Sequence, residues 1–287
     1  MKAWVMIMSV INYTRINWED APSKATPTNA ENLNRMDNAI KQLDDNAVSK
    51  ASPEFSGSVS MGRMNGPAVG ENSVALGFAT RAEGENAIAL GAGATATAKA
   101  SFAEGISTTA SGESSHAEGN SSASFARASH AEGNSTASGN YSHSEGLVTK
   151  AQGECSHAEG DSTIAQGNNS HAEGIGSIAK GAGSHVEGNY CNSTAQGNGA
   201  HAEGYYTSAG SSYQHVEGKY NEVDISNRYA HIIGGGSSDT DRKNIHTVDW
   251  HGNAVYSGDV TNGNGVSLDG LKALIDNLTA KIEALTN

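Results

Sequence analysis

Residues 156–160 read Ser-His-Ala-Glu-Gly and residues 163–167 read Thr-Ile-Ala-Gln-Gly, and these two runs decide the fold. In each run small residues alternate with larger ones, which is the period of a β-strand whose side chains point to opposite faces. Ser156 and Ala158 share one face of the first run, and the second run repeats the pattern. We expect the small-residue faces of both runs to turn inward, so that two short strands enclose a very thin core.

The first run recurs along the chain and closes each time on a glycine. Successive closing glycines are separated by 14, 14, 14, 14, 13, 14, 14, 14, 16, 14 and 16 residues. They are Gly77, Gly91, Gly105, Gly119, Gly133, Gly146, Gly160, Gly174, Gly188, Gly204, Gly218 and Gly234. A fixed period indicates a repeat architecture, and glycine allows the positive φ that tight turns need. We therefore predict an all-β, parallel β-roll solenoid of 14-residue coils over residues 73–234, each coil paired in register with the next.

The composition of the chain is consistent with this thin core. Leu, Ile, Val and Phe account for only 43 of 287 residues, and the formal net charge is −13. Without the repeat, those values would indicate disorder. The acidic balance predicts no nucleic-acid partner, and no apolar stretch has the length of a membrane-spanning helix, so we expect no membrane insertion. A narrow roll buries little apolar surface, which favours oligomerisation.

Eight coils carry the motif His-x-Glu-Gly, which places His and Glu together on one outward strand face. The pairs are His116 and Glu118, His130 and Glu132, His143 and Glu145, His157 and Glu159, His171 and Glu173, His185 and Glu187, His201 and Glu203, and His215 and Glu217. In the first coils Val74, Leu76, Ile88 and Leu90 occupy the same positions. An outward apolar stripe needs a partner chain, so we predict that both sets line an interface in which each Glu hydrogen-bonds to a His of an adjacent chain or coil.

Three other interpretations of the His–Glu motif remain open. The side chains could be solvent-exposed decoration, or they could bind metal ions, because imidazole and carboxylate are good ligands. Catalysis fits poorly, since eight identical pairs do not make one active site. We expect a protein that is not an enzyme, with no catalytic residue, no cofactor and no metal.

Both ends of the chain carry heptad-like apolar spacing. Residues 28–31, Thr-Asn-Ala-Glu, form a capping box, and apolar residues spaced by three and four follow it, which predicts short coiled-coil helices at 29–50 and 263–287. The coiled-coil positions are Leu33, Met36, Ile40, Leu43, Leu271, Ile275, Leu278, Ile282 and Leu285. The alternative for either end is a single amphipathic helix lying on the roll. We assign residues 1–28 to an N-terminal arm, 51–72 to a linker and 235–262 to a β-hairpin cap.

Tyrosines concentrate near the C-terminal end of the roll, where two coils have sixteen residues, 189–204 and 219–234. Extra loop length and aromatic side chains suit a glycan-binding surface, because tyrosine offers a flat apolar face and a hydroxyl. The candidate receptor contacts are Tyr190, Tyr205, Tyr206, Tyr213 and Tyr220. The alternative is that these side chains simply cover the end of the roll.

The sequence resembles a known family at its first coils. Residues 73–77, Ser-Val-Ala-Leu-Gly, followed by residues 79–84, Ala-Thr-Arg-Ala-Glu-Gly, are similar to the head repeat of YadA-type trimeric autotransporter adhesins. The resemblance covers roughly residues 73–234 and implies a left-handed parallel β-roll, three chains packed about a threefold axis, and binding to host surface molecules. Autotransporters of this type carry a long secretion signal and a membrane-anchor barrel, and we expect neither here.

The two ends instead resemble tail fibres and baseplate proteins of phages that infect Gram-positive bacteria. Residues 18–22 (Trp-Glu-Asp-Ala-Pro) and 26–33 are similar to their N-terminal arm, and residues 244–255 are similar to a fibre end. This resemblance implies a homotrimeric tail fibre or receptor-binding protein of the virion tail, assembled in the host cytoplasm. Its expected partners are phage baseplate or tail proteins at the N-terminus and a host cell-surface glycan or teichoic acid.

Other functions remain open at this point. A bacterial cell-surface adhesin is the first alternative, and a purely structural virion spacer is the second. A tail-borne glycan hydrolase is disfavoured, because it requires paired carboxylates in a cleft.

Overall fold

A computed structural model describes residues 59–61, 69–190, 192–193, 197–258, 260–261 and 267–286. All of them lie within the compact unit that runs from Gly57 to Asn287. The predicted arm 1–28, the predicted helix 29–50 and most of the linker lie outside the described residues. The N-terminal coiled-coil positions Leu33, Met36, Ile40 and Leu43 lie outside them as well.

The described chain is mostly β-structure, with one helix near its C-terminal end. The helix is α1 (Leu268–Thr286). The strands are β1 (Val59–Met61), β2 (Val74–Leu76), β3 (Arg81–Ala82), β4 (Ile88–Ala92), β5 (Thr95–Ala96), β6 (Phe102–Ile106), β7 (Thr109–Ala110), β8 (His116–Asn120), β9 (Ala123–Ser124), β10 (His130–Ala137), β11 (His143–Ala151), β12 (His157–Asp161), β13 (Ile164–Ala165), β14 (His171–Ala172), β15 (Ile178–Ala179), β16 (His185–Asn189), β17 (Asn192–Ser193), β18 (His201–Tyr205), β19 (His215–Lys219), β20 (Tyr229–Gly235), β21 (Asn244–Asp249) and β22 (Ala254–Tyr256).

The strands form a parallel β-solenoid of about 11 turns. The first strand of each turn pairs with the first strand of the next, so that His116 lies opposite His130 and Glu118 lies opposite Glu132. The short second strands pair in the same way, as β13 and β15 do. This in-register stacking places equivalent residues of successive turns directly above one another.

The core consists of small residues, as the alternation predicted. Ala158 and Ala165 are fully buried, and Ser156 and Thr163 are almost so. The buried hydroxyls are satisfied locally: Ser156 Oγ donates to the carbonyl oxygen of Gly153 at 2.7 Å, and Thr163 Oγ1 donates to that of Glu159 at 3.0 Å. The thin core therefore buries these two hydroxyls at little cost, because each has a partner, whereas the buried Thr108 Oγ1 has none in the described part of the chain.

The closing glycines are required by close approach between turns. Gly160 has a φ of 106°, and a Cβ added there would lie 2.2 Å from the carbonyl oxygen of Gly174. The same conflict recurs along the solenoid, for example at Gly174 against Gly188. Where one interval is 13 residues, the pairing of β10 with β11 shifts register after Asn134, which absorbs the missing residue.

The solenoid ends in an antiparallel extension. Strand β21 pairs antiparallel with β20, and β22 pairs antiparallel with β21 around the turn at 250–253. Helix α1 follows, and all its described side chains are exposed.

Candidate interaction surfaces

The outward face of the first strands, which we call the His–Glu face, carries a continuous column of imidazole rings. From His116 to His215 neighbouring rings are stacked, with centroids 4.6 to 4.9 Å apart and planes within 13° of parallel. This spacing is the distance between hydrogen-bonded strands, so the backbone register sets it. Phe102 extends the column at one end, 4.7 Å from His116, and His231 extends it at the other, 5.0 Å from His215.

The glutamates form a second column beside the imidazoles. The carboxylates approach the imidazole Nε2 atoms without hydrogen-bonding to them: Glu159 Oε1 lies 3.6 Å from His171 Nε2, and Glu217 Oε1 lies 3.3 Å from His231 Nε2. Within the described chain, the buried Nε2 atoms of all eight predicted histidines have no hydrogen-bond partner. The predicted Glu–His hydrogen bonds therefore do not form between adjacent turns of one chain.

Stacked carboxylates alter one another's protonation. A shared hydrogen bond with Glu159, another with Glu187, and burial raise the pKa of Glu173 to about 7. The same hydrogen bonds lower the pKa of Glu159 and of Glu187. Neighbouring carboxylates repel one another, so a proton on Glu173 relieves the repulsion that Glu159 and Glu187 exert on it.

Burial favours the neutral form of six histidines on this face. Burial, followed by the charge of neighbouring imidazoles, lowers the pKa of His157 and His171. The same direction and leading cause apply to His130, His143, His201 and His231. These six imidazoles therefore resist protonation more than a free imidazole does.

An open groove runs along the Glu column. Its three contiguous segments, of about 580, 430 and 550 Å³, are lined by the Glu column and the closing glycines. The first segment begins at Leu90 and the last ends at Gly218. Because glycine adds no side chain, the floor of the groove is backbone along most of the solenoid.

The His–Glu face becomes apolar or aromatic at both ends. Val74 and Leu76 lie in register with Ile88 and Leu90, which continue into Phe102 and Glu104. At the other end, residues of β20, β21 and β22 occupy the positions that His and Glu occupy in the middle turns. They are Ile233, Val248, His246, Ala254 and Tyr256.

Several of these end residues are not marked by the His-x-Glu-Gly motif. Phe102 could have been found by aligning it with His116, fourteen residues on. His231 lies three residues before the closing Gly234, which is the position of His in the motif. His246 follows one strand reversal and Tyr256 follows two, so the period does not place them.

Several clusters on the face offer ligand atoms that a metal ion could use. In some of them one Glu and two His lie within 4.8 Å of one another, as Glu132 does with His130 and His143. In others two Glu flank one His, as Glu145 and Glu159 flank His157. A zinc ion binds imidazole nitrogen at about 2.1 Å, so two parallel rings 4.8 Å apart would have to leave the stack to share one ion. This restriction does not apply to the clusters with a single His.

Four of the five candidate receptor tyrosines lie together at one edge of the solenoid. The rings of Tyr190 and Tyr206 stack at 5.0 Å and those of Tyr206 and Tyr220 at 5.1 Å, while Tyr205 contacts both Tyr206 and Tyr220 edge-on. Tyr213 lies in the other turn of its coil, where its backbone N–H donates to the carbonyl oxygen of Asn198.

The apolar positions of helix α1 face solvent. The predicted coiled-coil residues are between 44% and 86% exposed; they are Leu271, Ile275, Leu278, Ile282 and Leu285. This exposure differs from the alternative of a helix whose apolar side lies on the roll. No helix in the described part of the chain is both long enough and apolar enough to span a membrane.

The fold and this face together define a repeat protein of the parallel β-solenoid class. The sequence pattern of the YadA head domain repeat matches residues 68–102, 158–184 and 192–209, in two copies. None of the curated proteins matches the chain. The YadA head repeats imply a trimeric adhesin-like fold.

Proposed function

We propose that this chain is a homotrimeric, non-catalytic attachment protein, and in particular a phage tail fibre or receptor-binding protein that attaches the virion to the bacterial surface. The observation that carries the proposal is the His–Glu face. It is ordered over the length of the solenoid, yet its Nε2 atoms lack partners within one chain. Buried polar atoms cost free energy unless they are paired, which a neighbouring chain would provide.

Each chain of the trimer forms left-handed coils of fourteen residues. The three chains are arranged so that their His–Glu faces meet about one axis. The open groove beside the Glu column has room for side chains from a neighbour, and the apolar ends of the face would be covered at the same time. A helix of 19 residues with an exposed apolar stripe is marginal alone. Three such helices at the end of the trimer would bury their stripes against one another.

The attachment function follows from the adhesin-like repeats together with the resemblance of the ends to phage fibres. Catalysis fits the face poorly, because the same His–Glu pair recurs turn after turn without a cleft that distinguishes one pair. The N-terminal arm would bind baseplate or tail proteins, which leaves the roll and its C-terminal end to contact the host.

A bacterial cell-surface adhesin is the second candidate, and the match to an adhesin head repeat specifically favours it. The location of the protein separates the two. Antibodies against residues 116–217 should label the tails of phage particles if the protein is a fibre, whereas an adhesin would be labelled on the bacterial envelope.

Attachment itself is tested by adsorption. Fluorescently labelled full-length chain should bind to cells of a subset of Gram-positive strains, and unlabelled chain should compete with it. If the purified, folded chain binds to no strain of a broad panel, the proposed attachment function is wrong.

A further inference from the structure

The edge that carries Tyr190, Tyr206 and Tyr220, which we call the tyrosine row, differs from the same edge elsewhere in the solenoid. All three tyrosines have positive φ, at 55°, 53° and 44°. The equivalent turn position in earlier coils holds small residues or valine; these are Ala79, Gly93, Ser107, Ser121, Val148, Ser162 and Gly176. A bulky residue in this region costs about 1–3 kcal/mol. Tyr141 and Tyr213 accept the same cost in the other turn, so what distinguishes the row is that its three rings stack on one another in successive coils.

The row is held rigidly. A Cβ at Gly176 would lie 2.7 Å from Cδ1 of Tyr190, so the glycine provides the room that this ring occupies. At the other end the Arg242 guanidinium lies over Tyr220, 5.6 Å from the ring centroid. Arg242 also donates to the carbonyl oxygen of Tyr206 at 2.9 Å and pairs with Asp239 at 2.6 Å. A preorganised aromatic surface loses little entropy on binding.

The tyrosines remain accessible. Tyr190 and Tyr205 are exposed, whereas Tyr206 and Tyr220 are half-buried between their neighbours. Desolvation, followed by the nearby tyrosines, raises the pKa of Tyr206, so its hydroxyl remains a hydrogen-bond donor at physiological pH. Ring edges and hydroxyls next to one another suit the mixed apolar and hydroxyl surface of a sugar or polyol.

Basic side chains lie beside the tyrosine row. Lys219 lies in register with Tyr205, and Lys243 donates its backbone N–H to the carbonyl oxygen of Tyr220; both lysines are exposed. Two carboxylates lie at the same edge: Asp239 pairs with Arg242, and Asp241 accepts from Ser237 and interacts with the charge of Lys243. Lys219 therefore remains as the cation that pairs with no carboxylate in the described part of the chain. On a chain of net charge −13, two exposed lysines beside aromatic rings match an anionic partner.

We propose that the tyrosine row, with Lys219 and Lys243, binds an anionic sugar polymer of the host envelope. Sugar or polyol units contact the tyrosines, and phosphate or carboxylate groups contact the lysines. This site rests on the proposed attachment function and gives it a ligand class.

The test uses the full-length chain and biolayer interferometry on three immobilised polymers: poly(glycerol phosphate) teichoic acid, hyaluronan and neutral dextran. We expect binding to one or both charged polymers, which identifies the anion, and little binding to dextran. The double variant Tyr190→Ser with Tyr206→Ser introduces the residue that the same turn uses at Ser107 and Ser121, so the solenoid is preserved. Its affinity should fall at least about tenfold, equivalent to about 1.4 kcal/mol.

Two further variants keep the test falsifiable. Tyr213→Ser alters an equally strained tyrosine in the other turn, where Ser114 occupies the equivalent position, and its affinity should stay within about twofold of the native chain. Lys219→Glu with Lys243→Glu should weaken binding to the charged polymers by at least about tenfold.

Three results would overturn the proposal: no binding to either charged polymer, equal binding to dextran, or native affinity in the double tyrosine variant. Adsorption to whole cells separates this site from the attachment function. If native chain and double variant adsorb equally, the tyrosine site is wrong and the attachment function stands. If the native chain does not adsorb, the attachment function fails.

Discussion

The first turns and the middle turns of the solenoid present the same face with opposite chemistry. In β2 and β4 the outward positions hold Val74, Leu76, Ile88 and Leu90, whereas from β8 onward they hold His and Glu. The inward residues hardly change, since alanine, serine and threonine are buried in both regions. The backbone register is continuous through Phe102, where one region meets the other. The coil therefore does not depend on its outward residues, which are free to serve a partner.

The two chemistries suit two requirements of one interface. Apolar side chains contribute most of the free energy, at about 1.5–3 kcal/mol for each large side chain fully buried. They discriminate poorly between neighbouring registers, because nearly identical turns follow one another. Stacked imidazoles and carboxylates contribute less free energy to association. A misaligned partner would leave their buried polar atoms unpaired, which costs free energy, and a polar residue fixes register in a coiled coil in the same way.

The largest effect should come from the glycines, which both regions share. Gly160→Ala places a Cβ 2.2 Å from the carbonyl oxygen of Gly174 at a φ of 106°. We expect the variant to lose more than about 3 kcal/mol or to fail to fold, as measured by thermal unfolding. Gly183→Ala is the matched control, because φ there is 64° and a Cβ meets nothing within 4 Å. Equal stability of the two variants would contradict the close-packed turns.

Charging the apolar end should abolish assembly without unfolding the coil. Ile88→Asp with Leu90→Asp alters only outward positions and removes the burial of two large side chains in each chain. We expect light scattering at micromolar concentration to give the molar mass of a single chain rather than that of a trimer. The circular dichroism spectrum should still be that of β-sheet. Thr109→Asp, on the outward side of a second strand, should leave assembly unchanged. A double variant that assembles like the native chain would place the interface elsewhere.

Acid should weaken the polar region selectively. Burial lowers the pKa of six histidines on this face. Their contribution is therefore complete above the unfolded pKa of about 6.5 and is lost as pH falls toward the lowered values. Glu118, Glu159 and Glu187 also have lowered pKa values, so their contribution is lost at still lower pH. These shifts concern the folding of one chain. Because charged imidazoles of neighbouring chains would also repel one another where the His–Glu faces meet, we expect trimer dissociation to rise between pH 8 and pH 4.5 in sedimentation velocity.

Glu173 opposes this trend. Its pKa of about 7 means that its contribution is present below about pH 4.5 and is lost as pH rises through 7. Replacing His157 and His171 by Val, with Glu159 and Glu173 by Leu, gives two middle turns the chemistry of the first turns. That variant should be less sensitive to acid than the native chain. An assembly state that is unchanged across this range in the native chain would contradict this role of the imidazoles.

The smallest effect should come from the boundary itself. Phe102→His replaces a ring that already stacks 4.7 Å from His116 and 1° from parallel, so the column should continue. We expect a loss of about 1 kcal/mol or less at pH 8, measured by chemical denaturation, and a larger loss at pH 5 as another imidazole charges. His116→Phe should move the boundary one turn and reduce acid sensitivity. A loss above about 3 kcal/mol for Phe102→His would mean that Phe102 fills an apolar core rather than an interface.

Much of the fold could be predicted from the sequence because the period and the alternation act locally. The spacing of the glycines gives the register, and small residues such as Ser156 and Ala158 identify the inward face. Spacing shows that Glu and His share a face, but it does not show whether they hydrogen-bond, since that depends on the directions of their side chains. Within one chain Glu159 and His171 approach only to 3.6 Å.

The tyrosine row shows the same limit of sequence analysis. Tyr190, Tyr206 and Tyr220 each lie two residues after a closing glycine, whereas Tyr213 does not, so spacing separates the two groups. Spacing does not show that the three rings stack on one another. Arg242 lies far from the tyrosines in sequence and reaches Tyr220 only through the antiparallel extension of the solenoid.

We expect the His–Glu face to be covered by other copies of the same chain. Native mass spectrometry of the full-length protein at pH 7.5 tests this association most directly. We expect a species of three chains, each of 29.5 kDa, with no appreciable single chain at micromolar concentration. A stable, folded single chain under these conditions would contradict it.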